Sequence, residues 1–152
     1  MIAFSPARFR LVVRASAAYD VLATASFATP WSCAWNWQQL SAVNVRLGGA
    51  ALPPLGVYAT LLACLMGSLV LVWSALRLAT PERRLGRHDG AARFLFSAWM
   101  AWALCATGQP LLWLFLVPEF AWGVAQWWPV RTSDRARAAS PSLRPAGESR
   151  AP

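Results

Sequence analysis

Apolar residues gather into four stretches, 11–28, 55–78, 92–107 and 111–128, each near the ~20 residues a helix needs to cross the hydrocarbon core of a bilayer. The first reads LVVRASAAYDVLATASFA. Its six larger apolar residues contribute roughly −3 kcal/mol to insertion, which the ~+3 kcal/mol for Asp20 cancels. Such a helix inserts with help from its neighbours, and its Asp should face protein. A secretory signal is the rival reading, but Arg14 and Asp20 interrupt what should be an uncharged core. The second stretch has no charge between Leu55 and Leu76 and predicts a transmembrane helix. Ala59, Ala63 and Gly67 within it form either a ridge for close helix packing or the ordinary small-residue content of a membrane helix. Ser68 beside Gly67 suits a hydrogen bond across a helix interface or back to its own helix.

The third and fourth stretches are separated by Gly108, Gln109 and Pro110, a tight turn that predicts an antiparallel hairpin. Pro118 removes a backbone donor in the fourth, so a kink is expected near residues 114–118, with Glu119 directly after it. Between the first two stretches, Trp31, Trp35 and Trp37 suit a membrane–water interface, where the ring stays apolar and the indole N–H stays wet. Residues 32–47 separate polar from apolar faces poorly, and Val43 to Leu47 alternate like a strand. The segment predicts a short interfacial helix followed by a Gly-Gly turn.

Composition agrees with this reading. The chain is 57% hydrophobic and 13% charged, against roughly 45–50% and about 25% for a soluble domain. Its 152 residues leave room for one four-span membrane domain, residues 1–131, and no separate soluble domain. All 14 basic residues are Arg, and only Arg46 falls between the first two spans, thirteen against one. The positive-inside rule then puts both termini in the cytoplasm, with the first and third loops outside. That rule explains the net charge of +8 without a nucleic-acid partner. Residues 132–152, rich in Arg, Ser, Ala and Pro, predict a disordered basic cytoplasmic tail that leans on anionic lipid head groups. The fold class is therefore all-α: a polytopic four-helix bundle with an extracytoplasmic interfacial segment between helices 1 and 2.

Asp20 and Glu119 are the candidate site. Counting ~1.5 Å per residue, Asp20 lies about 13 Å from the inner edge and Glu119 about 18 Å, within about 5 Å of each other in height. If their spans are adjacent the two could share a proton, since close like charges raise one carboxyl's pKa. Tyr19 beside Asp20 and Gln126 about two turns from Glu119 extend the candidate polar site. Three roles fit the acids: a proton or cation relay or anchor for a head group such as a quinone carbonyl; neutral hydrogen-bonding locks between helices; or pairing with a partner subunit. Arg14 is six residues from Asp20, on another face, and snorkels to the surface rather than serving as counter-ion. If the acids are neutral locks, Asp20→Asn together with Glu119→Gln leaves the fold intact.

Several chemistries have no residues to support them. A single His88, in the cytoplasmic loop, cannot supply a pair of haem ligands. Cys33, Cys64 and Cys105 form no CxxC, only Cys33 is expected outside, and no metal site, phosphate loop or catalytic nucleophile motif is written in the chain. The abundant Trp of spans three and four suits packing and interface anchoring. An enzyme is the minority reading, with no catalytic residue to name.

Tyr19-Asp20, then Phe27-Ala28-Thr29-Pro30-Trp31, Gly67-Ser68, Val72-Trp73-Ser74 with Arg77, Leu112-Trp113, and Pro118-Glu119-Phe120 with Gly123 form a pattern over residues 10–130. It resembles the DoxX-like and BphX-like group of small four-helix bacterial membrane proteins. Some members of that group are linked to quinone-dependent oxidoreductase complexes and many have no assigned activity. The resemblance implies the bacterial cytoplasmic membrane and admits, as a third and weaker reading, a quinone-binding redox accessory, while the residues themselves indicate no cofactor. The expectation is a multi-pass inner-membrane protein working as a small accessory or assembly subunit, in contact with lipid and with a membrane-protein partner or copies of itself. The alternative is a proton-coupled carrier of a small solute using Asp20 or Glu119.

Overall fold

Ser5 starts the first helix: its hydroxyl accepts from the Arg8 amide at 3.2 Å, and Pro6 occupies the first turn, where no amide donor is needed. The computed structural model describes residues 3–131, so the tail assigned to 132–152 lies outside the described residues. Helix α1 (Pro6–Thr24) tightens into a 3-10 turn, Ala25–Phe27. Thr29 and Pro30 then repeat the same cap chemistry, with the Thr29 hydroxyl accepting from the Ser32 amide at 3.3 Å, and launch α2 (Pro30–Arg46). The chain bends by 103° between the two. The short interfacial helix expected here is thus 17 residues long. It includes Val43 and Val45, whose strand-like alternation is overridden because the Thr29 cap has already set a helical register.

Three further helices follow: α3 (Val57–Ala79), α4 (Arg83–Thr107) and α5 (Leu112–Trp127). The third predicted span begins at residue 92, whereas α4 begins nine residues earlier; charges hid its first turns from an apolar count. Gly108 ends α4 in the left-handed region (φ 64°), which a residue without Cβ reaches at little cost. The α4–α5 hairpin is the most extensive pairing in the fold, followed by α1 with α3. Helix α5 continues through Pro118. At the opposite end Arg87 donates to the carbonyls of Trp127 and Trp128 at 2.8 and 3.2 Å, satisfying the C-terminal end of α5. There Phe4 and Arg131 join the two ends of the described chain: the Phe4 amide donates to Pro129 at 2.8 Å and the Arg131 amide to Phe4 at 2.9 Å.

Burial runs opposite to that of a water-soluble bundle. Fully buried side chains include Arg77, Arg93, Gln126, Asn44, Ser16 and Ser74, while Leu22 is 85%, Val57 82% and Trp102 67% exposed. Cys33 is also buried, and it, Cys64 and Cys105 are free thiols. Among the described residues one helix, Val57–Ala79, is by itself long and apolar enough to cross a membrane, and the bent pair of α1 and α2 meets the same test together. Helix α5 has only 16 residues, and α4 carries its charges over its first half.

Gly67 is where the α1–α2 corner reaches α3. A Cβ there would stand 2.8 Å from the Phe27 carbonyl carbon and 3.0 Å from the Ala28 nitrogen, both backbone atoms that cannot swing aside. Gly67→Val should therefore cost about 1–3 kcal/mol by overpacking, read as a lower thermal midpoint in detergent; Ala63→Val, half-exposed on the same helix, should cost less.

Candidate functional site

Helices α1, α3, α4 and α5 each bring a pair of polar residues to a shared cluster inside the bundle. α1 supplies Ser16 and Asp20, α3 supplies Ser74 and Arg77, α4 supplies Asp89 and Arg93, and α5 supplies Glu119 and Gln126. Within each pair the spacing is three, four or seven residues, so each pair shares one helix face.

Arg93 is the hub. Its Nη2 donates to both oxygens of Asp20 at 2.7 and 2.6 Å, its Nε to Asp89 at 3.0 Å, and its Nη1 to Oε2 of Glu119 at 2.8 Å. Arg77, with no exposed side-chain surface, pairs with Asp20 and Asp89 and donates to Ser74 at 3.1 Å. Asp89 also accepts from the Trp73 indole at 2.9 Å and from the Gln126 amide at 2.7 Å, and the same amide nitrogen lies 2.7 Å from the Ser16 hydroxyl. Two guanidiniums thus bind three carboxylates, leaving the ionised cluster one negative charge in surplus. Every oxygen of Asp20 and Asp89 has a donor. Glu119 differs: only Oε2 is paired, and Oε1 has no partner among the described residues. Removing charges from water is expensive, and this cluster offsets the cost with several charge-assisted hydrogen bonds converging on Asp20, Asp89 and both arginines.

The structure therefore brings together the four sequence candidates, with Arg93 bridging Asp20 and Glu119 rather than the two acids sharing a proton directly. Gln126 braces Asp89. Tyr19 packs its ring against Trp122 at 6.3 Å between centroids, and its hydroxyl makes no hydrogen bond among the described residues. Arg14 is exposed and takes no part. Arg77 and Arg93 correct the sequence reading, which counted both as cytoplasmic loop charges; they are the counter-ions of Asp20. Asp89 was missed as well. The available signal was a helical stripe of small and polar residues, Gly86, Asp89, Gly90, Arg93 and Ser97, all buried along one face of α4.

The cluster closes one end of a cavity of about 750 Å³, within the range of small-molecule sites. Phe27, Leu69, Val70, Phe96, Met100 and Phe115 form apolar walls. At the charged end stand Tyr19, Asp20, Asp89, Arg93 and Glu119, and at the far end Trp37, Leu40, Leu52, Pro53 and Leu111. Helix α2 covers that far end, and Asn44 ties it to the turn between α4 and α5. Asn44 is fully buried; its amide nitrogen donates to Ala50 at 2.7 Å and to Gln109 at 2.5 Å, and its oxygen accepts from the Leu111 amide at 3.0 Å. Asn44→Ala leaves the buried Leu111 amide unpaired, at about 1–3 kcal/mol for a buried polar group, and releases Ala50 and Gln109. The expected result is faster amide exchange over residues 47–56 and a lower thermal midpoint.

Comparisons with protein-family models, curated proteins and solved structures give no match to this chain. The functional reading therefore rests on the geometry of the cluster and the cavity.

Proposed function

We propose that the chain is a multi-pass protein of the bacterial inner membrane whose bundle holds a lipophilic small molecule, and that it works as a small accessory or assembly subunit of a membrane complex. The observation that carries this reading is the inverted burial around the cavity: charged groups converge inside while Leu, Val and Trp face outward. So much outward apolar surface is far larger than a soluble monomer tolerates, and lipid satisfies it. Helices too short or too charged to insert alone are held by the cluster, whose charged groups pair with one another inside.

Orientation follows from the same sites. With Arg77 and Arg93 withdrawn into the core, eleven arginines still stand against Arg46 alone, which favours cytoplasmic termini and α2 on the outer side. A quinone, the ligand implied by the DoxX-like resemblance, suits this cavity, since its ring would meet apolar walls and its carbonyl could accept from the free Tyr19 hydroxyl. Alkaline phosphatase fused within the Gly48-Gly49 turn should be active, and fused after Arg131 inactive; the reverse pattern contradicts the orientation. A particle released in native lipid discs should weigh more than this chain with its lipid, owing to a second protein. A bare monomer or homo-oligomer argues against the subunit role.

The alternative, a proton-coupled carrier, is favoured by one specific feature: the unpaired Glu119 oxygen beside the cavity. Asp20, whose oxygens are both occupied, is poorly placed for that role.

A further inference from the structure

The charge surplus of the cluster has a location. Asp20 and Asp89 balance Arg77 and Arg93 and have a donor on every oxygen. Glu119 is the third carboxylate, 13% exposed, lines the cavity, and is held through a single oxygen. The groups that face it are Tyr19 and Asp20 from α1, Arg93 and Asp89 from α4, and, through Asp20 and Asp89, Arg77 from α3. A net charge buried against apolar walls is costly, so the cluster is neutralised when one positive charge is added, either as a proton on Glu119 or as a cation in the cavity.

We propose that the cavity takes a lipophilic monocation, and that this ligand and a proton exchange at Oε1 of Glu119. Two features favour a cation over other lipophiles. No guanidinium N–H pair is left open toward the cavity for an anionic head, since both arginines are engaged by carboxylates. The walls also carry aromatic rings, Phe27, Phe96 and Phe115 among them, and a ring face attracts a desolvated cation through its quadrupole. The exchange balances: a cation enters, the Glu119 O–H bond breaks, the proton leaves to solvent, and the cluster stays neutral overall. This inference rests on the lipophile-binding reading above and sets a cation in place of the neutral quinone as its ligand.

The test uses the full chain in mild detergent with two probes of matched shape and opposite charge, tetraphenylphosphonium and tetraphenylborate. Specific binding is defined as the part lost in Ala103→Trp, which fills the cavity away from the cluster. Specific binding of the phosphonium should exceed that of the borate at least tenfold, release about one proton per cation bound, and weaken about tenfold per pH unit at acid pH, the slope of one-for-one competition. Glu119→Gln should abolish the proton release and the pH dependence, and Glu119→Asp should retain both. Equal binding of the two probes, or phosphonium binding without proton release, overturns the cation exchange and leaves the cavity reading standing. If neither probe binds specifically, both fail. The comparison of probes on the unaltered protein decides the matter even if a variant does not fold.

Discussion

Arg93→Gln should abolish most of the folded protein recovered in detergent. The substitution leaves Asp20, Asp89 and Glu119 facing one guanidinium, that of Arg77, which does not contact Glu119. Removing one partner from a buried ion cluster costs about 3–5 kcal/mol, against the roughly 5–15 kcal/mol that holds a typical domain together. Gln fills much of the space and still offers an amide donor, so the loss measures charge more than volume. Arg93→Lys should recover only part of it. A lysine ammonium is a point charge on a flexible stem, whereas the guanidinium serves three carboxylates at once from fixed directions. Recovery by size exclusion and the thermal midpoint together read the effect. Wild-type values for Arg93→Gln would mean that the cluster is not desolvated as described.

The second large effect is a contrast between two acids that look alike in sequence. Asp20→Asn should lower stability by about 3 kcal/mol or more, because Asp20, like Asp89, is shared by both arginines and its loss leaves each partly unpaired in the core. Glu119→Gln should change the midpoint little, by less than about 1 kcal/mol, since it removes the surplus charge while an amide oxygen can still accept from Arg93. Combined, the substitutions leave two guanidiniums with Asp89 alone, and the doubly altered chain should fare worse than Asp20→Asn. The opposite outcome, an intact fold, is what neutral acids locking the helices would give. A midpoint series over the three variants separates these accounts directly.

Much of this architecture is legible in the sequence, for a physical reason: long apolar runs have few alternatives to helix, and Gly108 marks the end of α4 plainly. Three things were hidden. The start of α4 lies under Arg83, Arg84, Arg87 and Asp89, charges that an apolar count treats as loop although Asp89 is buried in the bundle. Helix α2 has weak amphipathicity, and its real signal is local, the Thr29 cap followed by Pro30. The partners of Asp20 are hidden because spacing tells which residues share a helix face but not which helices are neighbours. Arg77 and Arg93 therefore read equally well as cytoplasmic anchors until α1, α3 and α4 are packed together. The candidate acids stood out because charge is rare in such segments, and their function depends on the counter-ions that did not.

The central claim is that an apolar cavity ending at this cluster is a binding site for a lipophilic molecule. Native mass spectrometry of the intact protein released from lipid discs, compared with Ala103→Trp, tests it most directly. A non-protein molecule of defined mass should be retained by the unaltered chain and absent from Ala103→Trp, with both proteins equally folded. No retained molecule in either protein, or the same molecules retained in both, would contradict it.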